Sequence, residues 1–319
     1  MAHSHAHGNA VDAGWWRIGV ALLLNVGIVV AQVIGGLLSG SLALLADAVH
    51  NGSDAASLGV SFAARKIAGW DPDQRRTFGY ARVETVAAVI NLTTLIVIGL
   101  YLLVEGIGKL FSPEPVEGTT MLVVSAIAFV EDLLSVLVLY PLTKGSLNVR
   151  SATLHLVVDT LSTVAVLGGA AAVMLFDFYL VDPLLTVLIS LFILYHGAKE
   201  LRSAASVLIE SAPRGFDLDG AVAAVEAVPG VQEIHHVHVW QIDENRVGVE
   251  AHLVMDRSDL GEMERVKGEA KRVLHDRFGV EHTTLEVEID ACVEHERSVI
   301  PKHEAGSSAH HDHGAGHDK

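Results

Sequence analysis

Long apolar stretches alternate with short polar links over the first two thirds of the chain. A helix needs roughly 20 apolar residues to cross a bilayer core about 30 Å thick, and six stretches reach that length. They run approximately over residues 16–38, 41–64, 83–104, 121–140, 152–176 and 181–198. The pattern therefore predicts an all-α bundle of six membrane-spanning helices.

Basic residues concentrate in alternate links between these stretches. Most lie between the second and third stretches, and others lie between the fourth and fifth and after the sixth. In the remaining links, Lys109 is the only Lys or Arg. Since cytoplasmic loops carry the excess of Lys and Arg, this distribution predicts that both termini lie in the cytoplasm.

After residue 205 the apolar runs give way to shorter amphipathic periods. They predict a helix over 217–228, strands over 231–242 and 246–255, a helix over 260–278 and a strand over 282–289. This αββαβ order is typical of a small α+β domain. We therefore predict four regions: a His-rich tail over 1–15, a membrane domain over 16–204, an α+β domain over 205–295 and a second His-rich tail over 296–319.

Composition and missing motifs exclude several classes of protein. The mean hydropathy of +0.41 is too high for an ordinary soluble enzyme, and the net charge of −16 argues against nucleic acid as a partner. The single cysteine, Cys292, excludes a disulfide framework and a thiolate-rich metal site. Neither a His-Glu-x-x-His helix nor a P-loop occurs. We predict no enzymatic activity and no organic cofactor.

Two predicted spans each contain a histidine four residues before an aspartate. The second span has His50 and Asp54, and the fifth has His155 and Asp159. Residues at i and i+4 share one face of a helix, and ionisable side chains inside a span are costly and mark functional sites. Two imidazoles and two carboxylates can close a tetrahedron that suits Zn²⁺, with Co²⁺ or Cd²⁺ tolerated.

Each pair alone also fits a hydrogen bond between packed helices, but two copies at matching depth favour a metal site. Because a metal binds the neutral imidazole, exchange of metal for protons is physically natural. Asp47, near the His50 stripe, and Asp132 in the fourth span are candidates for a proton path. The alternative for Asp132, which the sequence favours slightly, is a hydrogen-bonding group that faces the bundle.

Three segments carry a resemblance to a known family. They are SLALLADAVHNGSD at 41–54, FGYARVE at 78–84 and SLNVRSATLHLVVD at 146–159. They resemble signatures of the cation diffusion facilitators, which are metal/proton antiporters. The resemblance implies efflux of a divalent metal by alternating access, a homodimer, a ferredoxin-like cytoplasmic domain and a bacterial cytoplasmic membrane. It places the transport site at His50, Asp54, His155 and Asp159, a composition that resembles the zinc-type members.

The resemblance also suggests roles for two charged residues outside the transport site. Arg82 and Glu210 are candidates for a charge interlock between the membrane and cytoplasmic parts. A positive-inside anchor is the alternative for Arg82.

A second group of candidate ligands lies in the α+β domain. Alternation along the strands puts His252, Glu286 and Glu288 on one exposed sheet face, and His235 on the first strand can join them. The resemblance places metal sites near these residues at the dimer contact, which makes Zn²⁺ a regulatory ligand as well as a substrate. A solvated polar face is the alternative.

The two tails are rich in histidine among small and polar residues. This composition does not fold, but it can bind metal weakly and raise its local concentration, or serve only as a soluble tail. The histidines are His3, His5, His7, His303, His310, His311, His313 and His317.

A different functional class remains open: a membrane metal sensor that binds the ion without moving it. A sensor usually carries an attached output domain, and residues 1–319 present none that we recognise.

Overall fold

A computed structural model describes residues 8–68, 70–140, 147–243, 246–255, 260–289 and 299. The chain divides into two compact units between Leu208 and Ile209. In the described part of the first unit there are six long helices. They are α1 (Gly8–Ser39), α2 (Leu42–Ala68), α3 (Arg82–Phe111), α4 (Gly118–Leu139), α5 (Leu147–Phe176) and α6 (Val181–Leu208). Each contains most of one predicted span, so the six-helix bundle is confirmed.

Hydropathy is unevenly distributed among these helices. Over the described residues, four are long and apolar enough to cross a membrane: α3, α4 over Gly118–Val138, α5 over Thr153–Phe176, and α6. The apolar segment of α1, Asn25–Ser39, is shorter. α2 holds Asp47, His50 and Asp54 in its first half, which lowers its hydropathy. The helix that departs most from a simple apolar span, α2, is therefore one of the two that hold the paired His and Asp residues.

Helix packing in the first unit depends on small residues at crossing points. α3 packs along α6, α4 along α5, and α2 contacts α1, α3, α5 and α6. A Cβ atom at Gly99 would lie 3.2 Å from the Ile193 side chain, and one at Gly106 would lie 3.1 Å from Thr186. Glycine thus lets the backbones of α3 and α6 approach closely, as is typical of membrane helices.

A buried carboxylate fixes the start of α2 against the start of α6. Asp182 accepts hydrogen bonds from the Ser41 hydroxyl at 2.5 Å and from the backbone N–H groups of Leu42 at 3.0 Å and Ala43 at 3.3 Å. These N–H groups have no partner within the helix, and a carboxylate also suits the positive end of the helix dipole. This cap fixes the position of α2, and with it the candidate ligands one to three turns further along.

The second unit has the predicted αββαβ order. Its elements are α7 (Leu218–Glu226), β1 (Val231–Gln241), β2 (Val247–Met255), α8 (Leu260–Phe278) and β3 (Val280–Ile289). The sheet order is β1-β2-β3, with β1 antiparallel and β3 parallel to β2. The parallel pair needs a crossover connection, which α8 supplies. The predicted α+β fold is confirmed.

Strand alternation places most side chains of this unit as the sequence predicts. Val249, Ala251 and Leu253 of β2 are buried in the hydrophobic core with Leu285 of β3. Ile289 shares the alternation of Leu285 along β3, which predicts a buried side chain, but it is 42% exposed. It is the last residue of β3, and along this strand the core cluster reaches only to Val287.

Candidate metal centre

The two His-x-x-x-Asp pairs of α2 and α5 meet in a crossed arrangement. His50 Nε2 lies 3.0 Å from Asp159 Oδ1, and His155 Nε2 lies 3.2 Å from Asp54 Oδ2. Each histidine therefore contacts the aspartate of the other helix. Within each helix the distances are longer, 3.9 Å from His50 Nε2 to Asp54 Oδ2 and 3.6 Å from His155 Nε2 to Asp159 Oδ2.

All four residues predicted as ligands thus lie around one point. The ligand atoms of His50, Asp54 and Asp159 are within 4.8 Å of one another, and His155 joins them through both aspartates. The two imidazole rings are 6.0 Å apart at 74°, so they approach from different directions. An arrangement of two nitrogens and two oxygens from two helices matches the ligands of a four-coordinate transition metal.

The candidate site is open on one side. The side chains of His50 and Asp159 are only 8% and 6% exposed, whereas those of His155 and Asp54 are 52% and 38% exposed. His155 precedes Asp159 along α5, and Asp54 follows His50 along α2. The more exposed ligands therefore lie towards the α5 start and the α2 end.

Asp47 lies beside the candidate ligands in a polar network of its own. Gln32 Nε2 donates to its Oδ2 at 2.7 Å, and the Ser162 hydroxyl donates to its Oδ1 at 3.2 Å. Asn51 Nδ2 in turn donates to Gln32 Oε1 at 3.2 Å. Our sequence reasoning missed these three partners. The sequence signal that could have revealed them is Gln32, a polar side chain inside the predicted first span.

Asp132 of α4 is buried and bonded to α5. The Thr163 hydroxyl donates to Asp132 Oδ2 at 2.6 Å, and that hydroxyl oxygen also lies 3.2 Å from the backbone oxygen of Asp159. Thr163 thus links the carboxylate of Asp132 to the backbone of Asp159, a candidate ligand. This is the geometry expected of a hydrogen-bonding group that faces the bundle; a role in a proton path stays a prediction.

The two residues of the predicted interlock belong to different units. Arg82 is the first residue of α3, where it lines a cavity of about 220 Å³ with Arg76 and Tyr80. Glu210 follows α6 with a φ of 59°, in the left-handed region that non-glycine residues seldom adopt. Their interlock stays a prediction.

A second cluster of candidate ligands lies on the sheet. His235 of β1 is opposite His252 of β2, and His252 is opposite Glu286 of β3. Glu288 contacts both histidines: its Oε1 is 2.7 Å from His252 Nδ1, and its Oε2 is 3.5 Å from His235 Nε2. Glu286 is the outlier, with its carboxylate 3.7 Å from His252 Nε2 and its side chain 72% exposed.

Two atoms of this cluster lack hydrogen-bond partners. His235 Nδ1 and Glu288 Oε2 are among the few buried, unpaired side-chain atoms of the described residues. A buried polar group without a partner costs about 1–3 kcal/mol. The ligand atoms of His235, His252 and Glu288 lie within 4.8 Å of one another, so one cation could satisfy the carboxylate oxygen.

A backbone irregularity adds a third histidine to this sheet face. The β1–β2 register shifts between His235 and His238, and His236 within the shift has a φ of 53°. Its ring stacks on His252, with centroids 4.7 Å apart at 14°. Burial, and next the nearby His252, lower the pKa of His236. On sequence His236 is a weaker candidate ligand than His235, and alternation along the strand does not reveal the bulge that brings its ring to His252.

The histidines of both tails lie outside the described residues. Within the C-terminal tail the structure describes Val299. Its backbone oxygen accepts a hydrogen bond from Val237 N–H at 2.7 Å. This contact places Val299 beside Val237 of β1.

Comparison with known families decides the identity of both units. A family model described as the cation efflux transmembrane domain matches residues 18–209, and one described as the cytoplasmic domain of cation efflux proteins matches residues 213–290. The chain belongs to the cation efflux family. The resemblance to cation diffusion facilitators is therefore confirmed. This is a family of integral membrane transporters, so the prediction of no enzymatic activity is confirmed as well.

Curated relatives match over nearly their full length. The metal cation efflux system protein CzcD of Cupriavidus metallidurans is 34% identical, over 91% of this chain and 90% of that protein. The zinc transporter ZitB of Pectobacterium atrosepticum is 33% identical, over 92% and 90%. The cadmium, cobalt and zinc/H⁺-K⁺ antiporter of Bacillus subtilis is 32% identical, over 98% and 100%.

A solved structure matches part of the chain. The metal-bound C-terminal domain of the CzcD transporter from Cupriavidus metallidurans is 33% identical, over 23% of this chain and 97% of that domain, with a TM-score of 0.21.

Proposed function

We propose that this cation efflux protein exports Zn²⁺ from the cytoplasm in exchange for protons, through a site formed by His50, Asp54, His155 and Asp159. The observation that carries the proposal is the crossed contact of these residues between α2 and α5, at 3.0 and 3.2 Å. Ionisable groups this close inside a membrane domain need a charged partner or ligand. A divalent transition metal fits their number and chemistry.

Charge balance supports proton exchange at the same residues. Two carboxylates neutralise one divalent cation when both imidazoles are neutral. In the absence of metal, one proton on each imidazole gives the same total charge and forms two His–Asp ion pairs across the helices. Replacing two protons by one M²⁺ therefore leaves the net charge of the buried site unchanged, which avoids the cost of an unpaired charge in the membrane.

The names of the relatives support the choice of metal. ZitB is named for zinc, and the Bacillus protein for cadmium, cobalt and zinc. An imidazole–carboxylate set accepts all three ions, and it is poor for Mg²⁺ or Ca²⁺, which prefer more oxygen ligands. We propose Zn²⁺ as the main substrate, with Cd²⁺ and Co²⁺ accepted.

The exposure of the ligands supports alternating access. The predicted orientation places the start of α5 and the end of α2 on the cytoplasmic side, which is where the exposed His155 and Asp54 lie. The described conformation then corresponds to a site open to the cytoplasm. A return stroke that buries these two and exposes His50 and Asp159 would release the ion on the opposite face.

The second unit is proposed to act as a cytoplasmic, metal-sensing domain of a homodimer. Its candidate ligands are His235, His252 and Glu288, with Glu286 as an exposed fourth. The buried Glu288 Oε2, which has no hydrogen-bond partner, supports a bound cation. An Arg82–Glu210 interlock, both termini in the cytoplasm and a bacterial cytoplasmic membrane complete the proposal.

Transport in proteoliposomes tests the function. Purified protein should take up Zn²⁺, Cd²⁺ and Co²⁺ in preference to Mn²⁺ and Fe²⁺, and a pH dye should report countermovement of protons. His155→Ala and Asp54→Ala should each abolish metal-dependent proton flux, because either change removes a ligand and leaves an unpaired charge.

Matched controls are His282→Ala and Asp71→Ala, exposed residues outside both clusters, which should transport like the wild type. Metal binding without any uptake by the wild type would favour a non-transporting sensor over an exporter.

A further inference from the structure

Among the six long helices, a third His-x-x-x-acid pair lies on α6. His196 and Glu200 are four residues apart, as are His50 and Asp54 on α2 and His155 and Asp159 on α5. Residues at this spacing share a helix face, and both side chains are exposed. α6 contacts both α2 and α5. The pair therefore repeats the chemistry of the transport site on the next helix of the same bundle.

Aromatic contacts join this pair to the transport site. The Phe192 ring is 5.7 Å from the His50 ring in an edge-to-face contact at 86°, and it is 4.3 Å from the His196 ring. Three rings thus form a row from a buried ligand of the site to an exposed histidine. Because Phe192 and His196 are one turn apart, the face of α6 that carries the pair is the face turned towards the site.

Electrostatic interactions connect the same residues. Glu200 interacts with His155, the exposed ligand of the transport site, and with His196. His196 also interacts with His50, His155 and Lys199. Glu200 is thus a carboxylate of α6 whose charge acts on both His155 and His196.

The pair lies on the open side of the site. Counting along α6 from Phe192 towards Leu208, His196 is about 6 Å and Glu200 about 12 Å further along the helix axis, at about 1.5 Å per residue. In the proposed orientation this direction leads to the cytoplasm, and His155 and Asp54 are exposed on the same side.

We propose that His196 and Glu200 form an outer cation station, which holds a divalent transition-metal ion before it passes to His155 and Asp54. The inference rests on the proposed function. One imidazole and one carboxylate, completed by water, make an N/O site for the same ions as the inner set. With two protein ligands instead of four, the station binds weakly and releases readily, as a site on the way to a tighter one must.

Concentration dependence of uptake tests the station. Initial rates of Zn²⁺ uptake into proteoliposomes are measured for the wild type, the double variant His196→Gln/Glu200→Gln and the ligand-preserving variant Glu200→Asp. The double variant should raise the apparent KM about fivefold, which corresponds to about 1 kcal/mol, with little change in the maximal rate. Glu200→Asp should stay near the wild-type KM.

Equilibrium titration with Zn²⁺ in detergent supplies a second measurement. The wild type and the double variant have identical transport and cytoplasmic sites, so the difference between their isotherms reports the station alone. The wild type should show one additional weak site per protomer. An unchanged thermal unfolding midpoint confirms that the double variant is folded.

His155→Gln separates failure of the station from failure of the transport site. If His155→Gln abolishes uptake while the double variant keeps the wild-type KM and isotherm, the station is refuted and the proposed function stands. If His155→Gln transports like the wild type, the proposed transport site is refuted, and the station that depends on it is refuted as well. A double variant with an unchanged KM and a lower maximal rate would also refute the station, since that is the effect of a residue needed for movement.

Discussion

At the scale of single residues, the candidate site depends on which histidine meets which aspartate. The i, i+4 spacing predicts that His50 and Asp54 share a face, as do His155 and Asp159, and the structure brings all four together. The spacing does not predict the crossed contacts, His50 with Asp159 and His155 with Asp54, because these depend on how α2 and α5 are rotated against each other. Periodicity within one helix contains no such information.

Buried partners of the candidate ligands were less predictable still. Asp47 was recognised as an intramembrane carboxylate, but Gln32 and Ser162, its hydrogen-bond donors, were not. Both belong to other helices, and an apolar pattern tells only that a span exists, not which of its residues faces which neighbour. The network became visible once the packing of α1, α2 and α5 was known.

Removal of the Asp47 carboxylate should destabilise the bundle. Asp47→Ala leaves Gln32 Nε2 and the Ser162 hydroxyl without their acceptor, and an unsatisfied buried donor costs about 1–3 kcal/mol. We expect a lower thermal unfolding midpoint in detergent. Asp47→Asn keeps one oxygen acceptor and should lose less. Equal midpoints for the wild type and Asp47→Ala would show that the network contributes no net stability.

At the scale of elements, sequence patterns located helices and strands well and their contacts poorly. The span prediction for the fifth helix ends at Phe176, as α5 does, and α8 coincides with the predicted 260–278. α3 and α6 continue to Phe111 and Leu208, beyond their apolar stretches, because a helix need not end where its apolar stretch ends. The β1 bulge at His236 was not foreseen, since alternation assumes a regular strand.

Helix ends offer a test of pH dependence at this scale. Glu117 caps α4 by accepting hydrogen bonds from Thr119 N–H at 3.1 Å and Thr120 N–H at 2.7 Å. The bonds from Thr120 hold the pKa of the Glu117 carboxyl below its usual 4.5. A depressed carboxyl pKa stabilises the fold above the unfolded-state value, and this contribution is lost as pH falls through the lower folded-state value.

Glu117→Gln should therefore reduce the loss of folding stability at acidic pH. The wild type should lose stability as the pH drops below 4.5, and the variant should lose less over that range. Unfolding midpoints in detergent across this pH range measure the difference. Glu281→Gln, at an exposed glutamate of β3, serves as the control and should follow the wild type. Parallel curves for the wild type and Glu117→Gln would contradict the role of this cap.

At the scale of the whole molecule, one unit holds the candidate transport site and the other holds a cluster of candidate ligands on a sheet. The order of elements and the family of both units were predictable, because six apolar runs, the αββαβ pattern and three signature segments are each visible in the sequence. The arrangement of His235, His252 and Glu288 required the strand register. The functions of the His-rich tails stay predictions.

The C-terminal tail should affect metal capture more than transport. Removal of residues 300–319 deletes five histidines, His303, His310, His311, His313 and His317, and leaves the hydrogen bond of Val299 to Val237 available. We expect the maximal rate of uptake to persist and the rate at low Zn²⁺ to fall, because the tail raises the local metal concentration. Replacement of these histidines by serine should have the same effect. Loss of all uptake would assign the tail a role in the transport step.

Anomalous diffraction at the zinc edge, from crystals grown with Zn²⁺, tests the central claim most directly. The account predicts a peak between α2 and α5, about 2.0–2.2 Å from a nitrogen of His50 and of His155 and from an oxygen of Asp54 and of Asp159. Zinc peaks confined to the sheet of the second unit, with none among these four residues, would contradict it.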